Sequence, residues 1–130
     1  MTDDRTVARW FIDLDWLEQN NRSFLALAQG CLCPKCLGRL EGGKKQPSPA
    51  DLLSNIRDCC SKTPEFFINR LPVLESVFRI FLANGNQPLG LEELSGQLVE
   101  RRGGAPHHAS VEMLFRLLGN ERYYGLRRVP

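Results

Sequence analysis

All five cysteines of the chain lie between positions 31 and 60. Cys31, Cys33 and Cys36 sit in the run Cys-Leu-Cys-Pro-Lys-Cys; Cys59 and Cys60 are adjacent, beyond 22 intervening residues. Thiolates are soft ligands, and zinc takes four of them in a tetrahedron. Two cysteines separated by two residues can turn both sulfurs toward one point. Cys33-Pro34-Lys35-Cys36 has that spacing, Pro34 stiffens the turn, and the charge of Lys35 favours thiolates. Two ligand sets are open. In one, Cys31 supplies the third sulfur and either Cys59 or Cys60 the fourth. In the other, Cys33, Cys36, Cys59 and Cys60 form the set and Cys31 is spare. In both, four of the five cysteines hold a structural zinc, with no open position for a substrate. An iron–sulfur cluster is the less favoured occupant. The plain alternative is five ordinary buried thiols, since free cysteine is among the most buried residue types.

Other chemistry is hard to find. The chain has no glycine-rich phosphate loop, no Gly-x-Ser-x-Gly and no His-Glu-x-x-His helix. Asp13 and Asp15 fall near a helix cap or on different faces, so they make no acid/base pair. His107-His108 follows Pro106 in a loop and reads as a solvated pair. A thioredoxin-like role for Cys33 and Cys36 would want a βαβ setting, which is absent. The expectation is a protein that is not an enzyme and takes no small-molecule substrate. The N-terminus lacks a signal peptide and no apolar run is long enough to span a membrane. A cytoplasmic location follows, where clustered cysteines bind metal more often than they form disulfides.

The elements that must place the cysteines are mostly helical. Trp10-Phe11-Ile12 is a short strand or an apolar anchor. Asp13 caps a helix with Leu14, Trp16 and Leu17; Ser23 caps another from Phe24 to Gln29. Residues 37–47 read as a loop, through their glycines and lysines. Ser48-Pro49 opens a helix whose apolar stripe is Leu52, Leu53, Ile56, Cys59 and Cys60. Adjacent helical residues point about 100° apart, so one of the two last cysteines is expected to ligate and the other to pack. Thr63-Pro64-Glu65 opens a further helix carrying Phe66, Phe67, Ile68 and Leu71. Residues 73–83 are apolar around more than half a helix circumference, which marks the central helix of the core.

Towards the C-terminus, Gln87-Pro88-Leu89 is short and extended. A helix over 91–102 follows, with Leu91, Leu94, Leu98 and Val99 inward. A loop at 103–106 leads to a third helix from Ala109-Ser110, with Val111, Leu114, Phe115 and Leu118 inward. The run Arg122 to Val129 reads as two short strands around Gly125. This order of helix, extended piece, helix, loop, helix and hairpin resembles a winged helix, over about residues 72–130. The resemblance implies a helix-turn-helix variant with a β-wing, a fold used for DNA binding and for protein interaction. The expected fold is mostly α with a small β-wing. A helical segment with the cysteine clip (1–62) precedes a winged-helix-like module (63–130), the two sharing one core.

Net charge is only +2, so a nucleic-acid surface would have to come from local clustering. Residues 31–62 carry six bases against three acids. The third helix offers Glu112, Met113 and Arg116 outward, a poor major-groove reader. The cations able to hold a phosphate backbone are Lys44, Lys45, Arg101, Arg102, Arg116, Arg122, Arg127 and Arg128, with Lys35 and Arg39 if these share a side. An apolar strip of Met113 and Leu117 beside Tyr123 or Tyr124 would instead suit a protein partner or a homodimer. The first expectation is a nucleic-acid-associated protein of transcription or its regulation, touching the DNA or RNA backbone through wing and basic loop. The second is a zinc-stabilised interaction module or a subunit of a larger assembly. A third is a redox-sensing regulator whose cysteines release metal on oxidation.

Overall fold

The structure, a computed structural model, describes residues 8–43, 47–67, 71–102 and 110–130; the side chains of Arg101 and Arg102 lie outside the description. In chain order the elements are β1 (Arg9–Ile12), α1 (Leu14–Gln19), α2 (Phe24–Gln29), α3 (Pro34–Gly42) and α4 (Pro49–Asp58). Two 3-10 turns (Cys60–Lys62 and Pro64–Phe66) lead to α5 (Val73–Ala83), β2 (Leu89–Gly90), α6 (Leu91–Arg102), α7 (Val111–Gly119) and β3 (Leu126–Arg128). The chain is mostly helical, with one small three-stranded antiparallel sheet.

Helix starts follow local chemistry. The side chains of Asp13, Ser23, Ser48 and Ser110 accept hydrogen bonds from Trp16, Ala26, Asp51 and Met113 N–H at 3.1–3.2 Å. Each satisfies a first-turn donor that the helix itself leaves unpaired. Apolar periodicity then decides what is buried. α5 buries Ser76, Val77, Phe78, Ile80, Phe81 and Leu82, as the central helix of the core should. Around it pack Ile12, Leu17, Ile56, Leu91, Leu94, Leu98, Leu114 and Leu126, drawn from the N- and C-terminal halves alike.

The sheet differs from a local wing. Its order is β2-β1-β3, so the N-terminal strand is the central one. β1 pairs with β2 through Arg9↔Gly90 and Trp10↔Leu89, and with β3 through Trp10↔Arg128, Phe11↔Arg127 and Ile12↔Leu126. Beyond the end of β2, the Asn86 carboxamide replaces a strand residue: its Oδ1 accepts from Ile12 N–H at 2.8 Å and its Nδ2 donates to Ile12 C=O at 2.9 Å. The expected hairpin around Gly125 does not form. Residues 123 and 124 bend instead, because the carboxylate of Glu121, only 2% exposed, accepts the N–H groups of Tyr123 (2.6 Å), Tyr124 and Leu126 (2.9 Å). Gly125 makes the turn back into β3 with φ +72°; a Cβ there would sit 2.7 Å from Leu17 Cγ, so only glycine fits.

Three further expectations are corrected. Residues 37–42 are helical, because α3 runs on from the Cys33-Pro34 start, and Cys36 and Leu40, one turn apart, line a cleft with Leu52 of α4. Thr63-Pro64-Glu65 opens only a 3-10 turn, ended by Phe67 in extended conformation. Phe115 is not an inward residue. Val111, Leu114 and Leu118 carry the packing of α7, while Phe115 is 36% exposed and meets Trp10 edge-on, with centroids 6.3 Å apart.

Candidate metal centre

Two chain ends build the centre. Cys33 is the N-cap of α3 and Cys36 its third residue, so the tight start of the helix sets their sulfurs side by side. The second pair lies just past the end of α4. That helix stops at Asp58, Cys59 takes φ −128° and ψ −67°, and Cys60 begins a 3-10 turn. The break lets both late cysteines approach Cys33, which an unbroken helix would have denied to one of them. The Sγ atoms of Cys33 and Cys59 are 3.8 Å apart, and those of Cys33 and Cys60 are 3.5 Å apart. The ligand atoms of Cys33, Cys36 and Cys59 all lie within 4.8 Å of one another. The Cys33 N–H also points at Cys60 Sγ, at 3.2 Å.

These separations suit one metal ion. Zinc–sulfur bonds of about 2.3 Å in a regular tetrahedron place the sulfurs about 3.8 Å apart. Cys33, Cys36 and Cys60 are buried and Cys59 is half-buried. The four cysteines are therefore positioned for metal binding, and the second of the two ligand sets open from the sequence is the one brought together. Cys31 stands apart. It is buried, its Sγ faces Leu27 C=O at 4.0 Å, and it lines a separate cleft with Glu75, Arg79, Tyr123 and Tyr124.

The thiols are not equivalent. The first-turn N–H of Cys36 holds the Cys33 thiol down at about 7. Burial pushes Cys36 up, and proton sharing with Cys60 and Cys33 adds to it. Burial also raises Cys60, against the pull of the Cys33 N–H. Cys31 is pushed up to about 11 by burial, with the Arg79 guanidinium pulling the other way. The metal-free centre thus keeps protons that a metal ion must displace.

The expected partner-binding residues are scattered in role. Arg122 turns back on α7, its Nη1 donating to Gly119 C=O at 3.3 Å and Glu121 C=O at 2.7 Å. Arg127 lies over the Trp16 ring, 5.2 Å from its centroid. Arg116 and Arg128 are exposed. Met113 and Leu117 are half-buried, not fully outward. Tyr124 stacks on Phe78 at 5.0 Å, and Tyr123 is 50% exposed under the Arg22 guanidinium. Lys35 and Arg39 are exposed one turn apart on α3. Lys44, Lys45 and His107-His108 lie outside the described residues, as do the side chains of Arg101 and Arg102. Asp13 serves as a cap and Asp15 is exposed, so no acid/base pair forms there.

Two residues passed over in the sequence organise this region. Glu121 is the anchor of the β3 turn. Arg79 is the other: it pairs with Glu75 at 3.3 Å, donates to Phe66 C=O at 3.0 Å and lies over the Phe66 ring. The four-residue spacing of Glu75 and Arg79 was a helix-pair signal for the second; nothing local signalled the first. Trp10, Phe115, Leu118, Leu126, Arg127 and Arg128 line a shallow cleft between α7 and β3. No helix among the described residues is long and apolar enough to cross a membrane. Comparison with protein-family models, curated proteins and solved structures finds no match.

Proposed function

We propose that this chain is a non-enzymatic binding protein whose helical N-terminal segment is locked to its winged-helix-like half by a structural zinc. The observation that carries the zinc is the gathering of the Cys33, Cys36 and Cys59 sulfurs within 4.8 Å of one another, with Cys60 Sγ 3.5 Å from that of Cys33. Four thiolates leave no position for a reacting water, so the metal holds structure and does no chemistry. A reducing compartment such as the cytoplasm suits such a centre. The winged-helix comparison is supported by the order of α5, β2, α6, α7 and β3, with β1 in place of the first wing strand.

The binding face is the α7–β3 side, and a protein partner is the better-supported occupant. Exposed Phe115 on Trp10, with Arg128 lining the cleft and Arg116 next to Phe115, joins the residue types that dominate protein interfaces. A role on nucleic acid, in transcription or its regulation, is the second reading. It is supported by the exposed cations Arg116 and Arg128, but Arg122 and Arg127 are engaged within the chain. Zinc is tested by metal content per chain on tag-free protein: one zinc supports the centre, and none with five countable thiols after unfolding refutes it. The partner class is tested by retention on DNA and RNA at low salt. Binding that weakens steeply with salt and with Arg116→Ala or Arg128→Ala supports nucleic acid. Its absence, with capture of a protein partner lost on Phe115→Ala, supports the first.

A further inference from the structure

The four sulfurs of the centre differ in what surrounds them. Cys33, Cys36 and Cys60 are buried, whereas Cys59 is half-buried and so is the residue of the four with the most surface left to solvent. Amide donors are also unevenly shared. The Cys33 N–H is directed at Cys60 Sγ, at 3.2 Å. Among the described residues no backbone N–H is directed at Cys59 Sγ, whose near neighbour is the sulfur of Cys33 at 3.8 Å. N–H donors draw electron density from a thiolate and blunt its attack on an oxidant. A metal-bound thiolate that lacks them and meets solvent is the nucleophile of its set.

From this asymmetry we infer that Cys59 is an oxidation site for peroxides and that its oxidation ejects the metal. The inference rests on the zinc proposal above. The zinc-bound Cys59 thiolate attacks one oxygen of hydrogen peroxide. The O–O bond breaks, hydroxide leaves, and Cys59 becomes a sulfenic acid with no ligating charge. The Cys33 thiolate, 3.8 Å away, then attacks the Cys59 sulfur. A second hydroxide departs as the Cys33–Cys59 disulfide forms. Two thiolates have been oxidised by two electrons and one peroxide reduced to two hydroxides. Zinc, left with Cys36 and Cys60, dissociates, since two thiolates cannot close its tetrahedron. Contraction to a disulfide of about 2.05 Å requires side-chain rotation that the bound metal otherwise prevents.

The experiment takes the full-length zinc-loaded protein and adds peroxide below one equivalent. Zinc release is followed with a chromogenic chelator, and the oxidised cysteine is trapped with a sulfenate-specific dione and mapped by mass spectrometry. The expected result is trapping at Cys59, a Cys33–Cys59 disulfide when the dione is omitted, and about one zinc freed per peroxide consumed. Cys31→Ser leaves the centre's ligands in place and should release zinc at the same rate. The inference is overturned if zinc stays bound through roughly tenfold excess peroxide, or if Cys31, Cys33, Cys36 or Cys60 is the first cysteine labelled. Protein that carries no zinc before peroxide is added refutes the zinc proposal and this inference together; zinc-loaded protein that resists peroxide refutes this inference alone.

Discussion

The metal centre and the α7–β3 face are built by different rules. The centre needs four atoms of one kind at one distance from a point. Residue type alone therefore nominates its members, and the fold has only to choose four sulfurs from five. The α7–β3 face is built from arginines and aromatics that have many possible uses. Arg122 caps a helix end and Arg127 covers Trp16, while Arg128 faces solvent in the same short segment. A demanding chemistry is readable from few residues. A permissive one is assigned only when each side chain's neighbours are known.

The largest effect should come from the centre. Cys36→Ser removes a buried ligand, and structural zinc contributes about 10–16 kcal/mol of apparent binding free energy in small domains. The variant is expected to purify without stoichiometric zinc and to lose its cooperative thermal transition in calorimetry, as should wild type treated with a strong chelator. Because burial keeps Cys36 and Cys60 protonated in the metal-free state, zinc uptake releases protons, and affinity should climb with pH. Acid-stable zinc would contradict that sign.

Next is Glu121, which no residue count would rank beside a metal ligand. Glu121→Ala leaves three N–H groups without their acceptor, that of Leu126 buried and those of Tyr123 and Tyr124 partly buried. A cost of about 2–3 kcal/mol in urea unfolding is expected, most of it from the stranded Leu126 donor. A loss under 1 kcal/mol would mean that residues 121–126 find another turn. Gly125→Ala tests the same turn from its packing side. Positive φ together with the 2.7 Å approach to Leu17 should cost about 2–3 kcal/mol and leave zinc content unchanged.

Cys31 gives a smaller effect with a defined pH window. Its thiol is raised from 9.0 to about 11 by burial. The resulting stabilisation is fully present below pH 9, where both folded and unfolded chains are protonated. It is lost as pH rises toward 11, because the unfolded chain ionises first. Unfolding free energy should fall by up to about 2–3 kcal/mol over that window relative to Cys31→Ala. Equal slopes would show that Cys31 is not buried as described. Smallest of all, Arg128→Ala should change stability by no more than about 0.5 kcal/mol, and Arg127→Ala by about 1 kcal/mol through the lost cover of Trp16.

Much of the scaffold was legible because its causes are local. Asp13, Ser23, Ser48 and Ser110 announced their helices, and the apolar run over 73–83 announced the central one. Each depends on residues within a turn or two. The cysteine cluster was legible for a chemical reason, since few roles call for five thiols within thirty residues of a 130-residue chain. Only the tertiary structure decided the rest. α3 crosses Gly38 to end at Gly42, against its low propensity, with Cys36 and Leu40 set along Leu52 of α4. Whether Trp10-Phe11-Ile12 was a strand depended on residues more than a hundred positions away, which pair with it and displace the expected hairpin. Phe115 likewise meets Trp10 from far along the chain, and Cys59 and Cys60 reach Cys33 only past the end of α4. Composition and short-range pattern determine which elements and ligands a chain owns. Their pairing is set by which contacts, distant in sequence, bury the most apolar surface and leave the fewest donors unpaired.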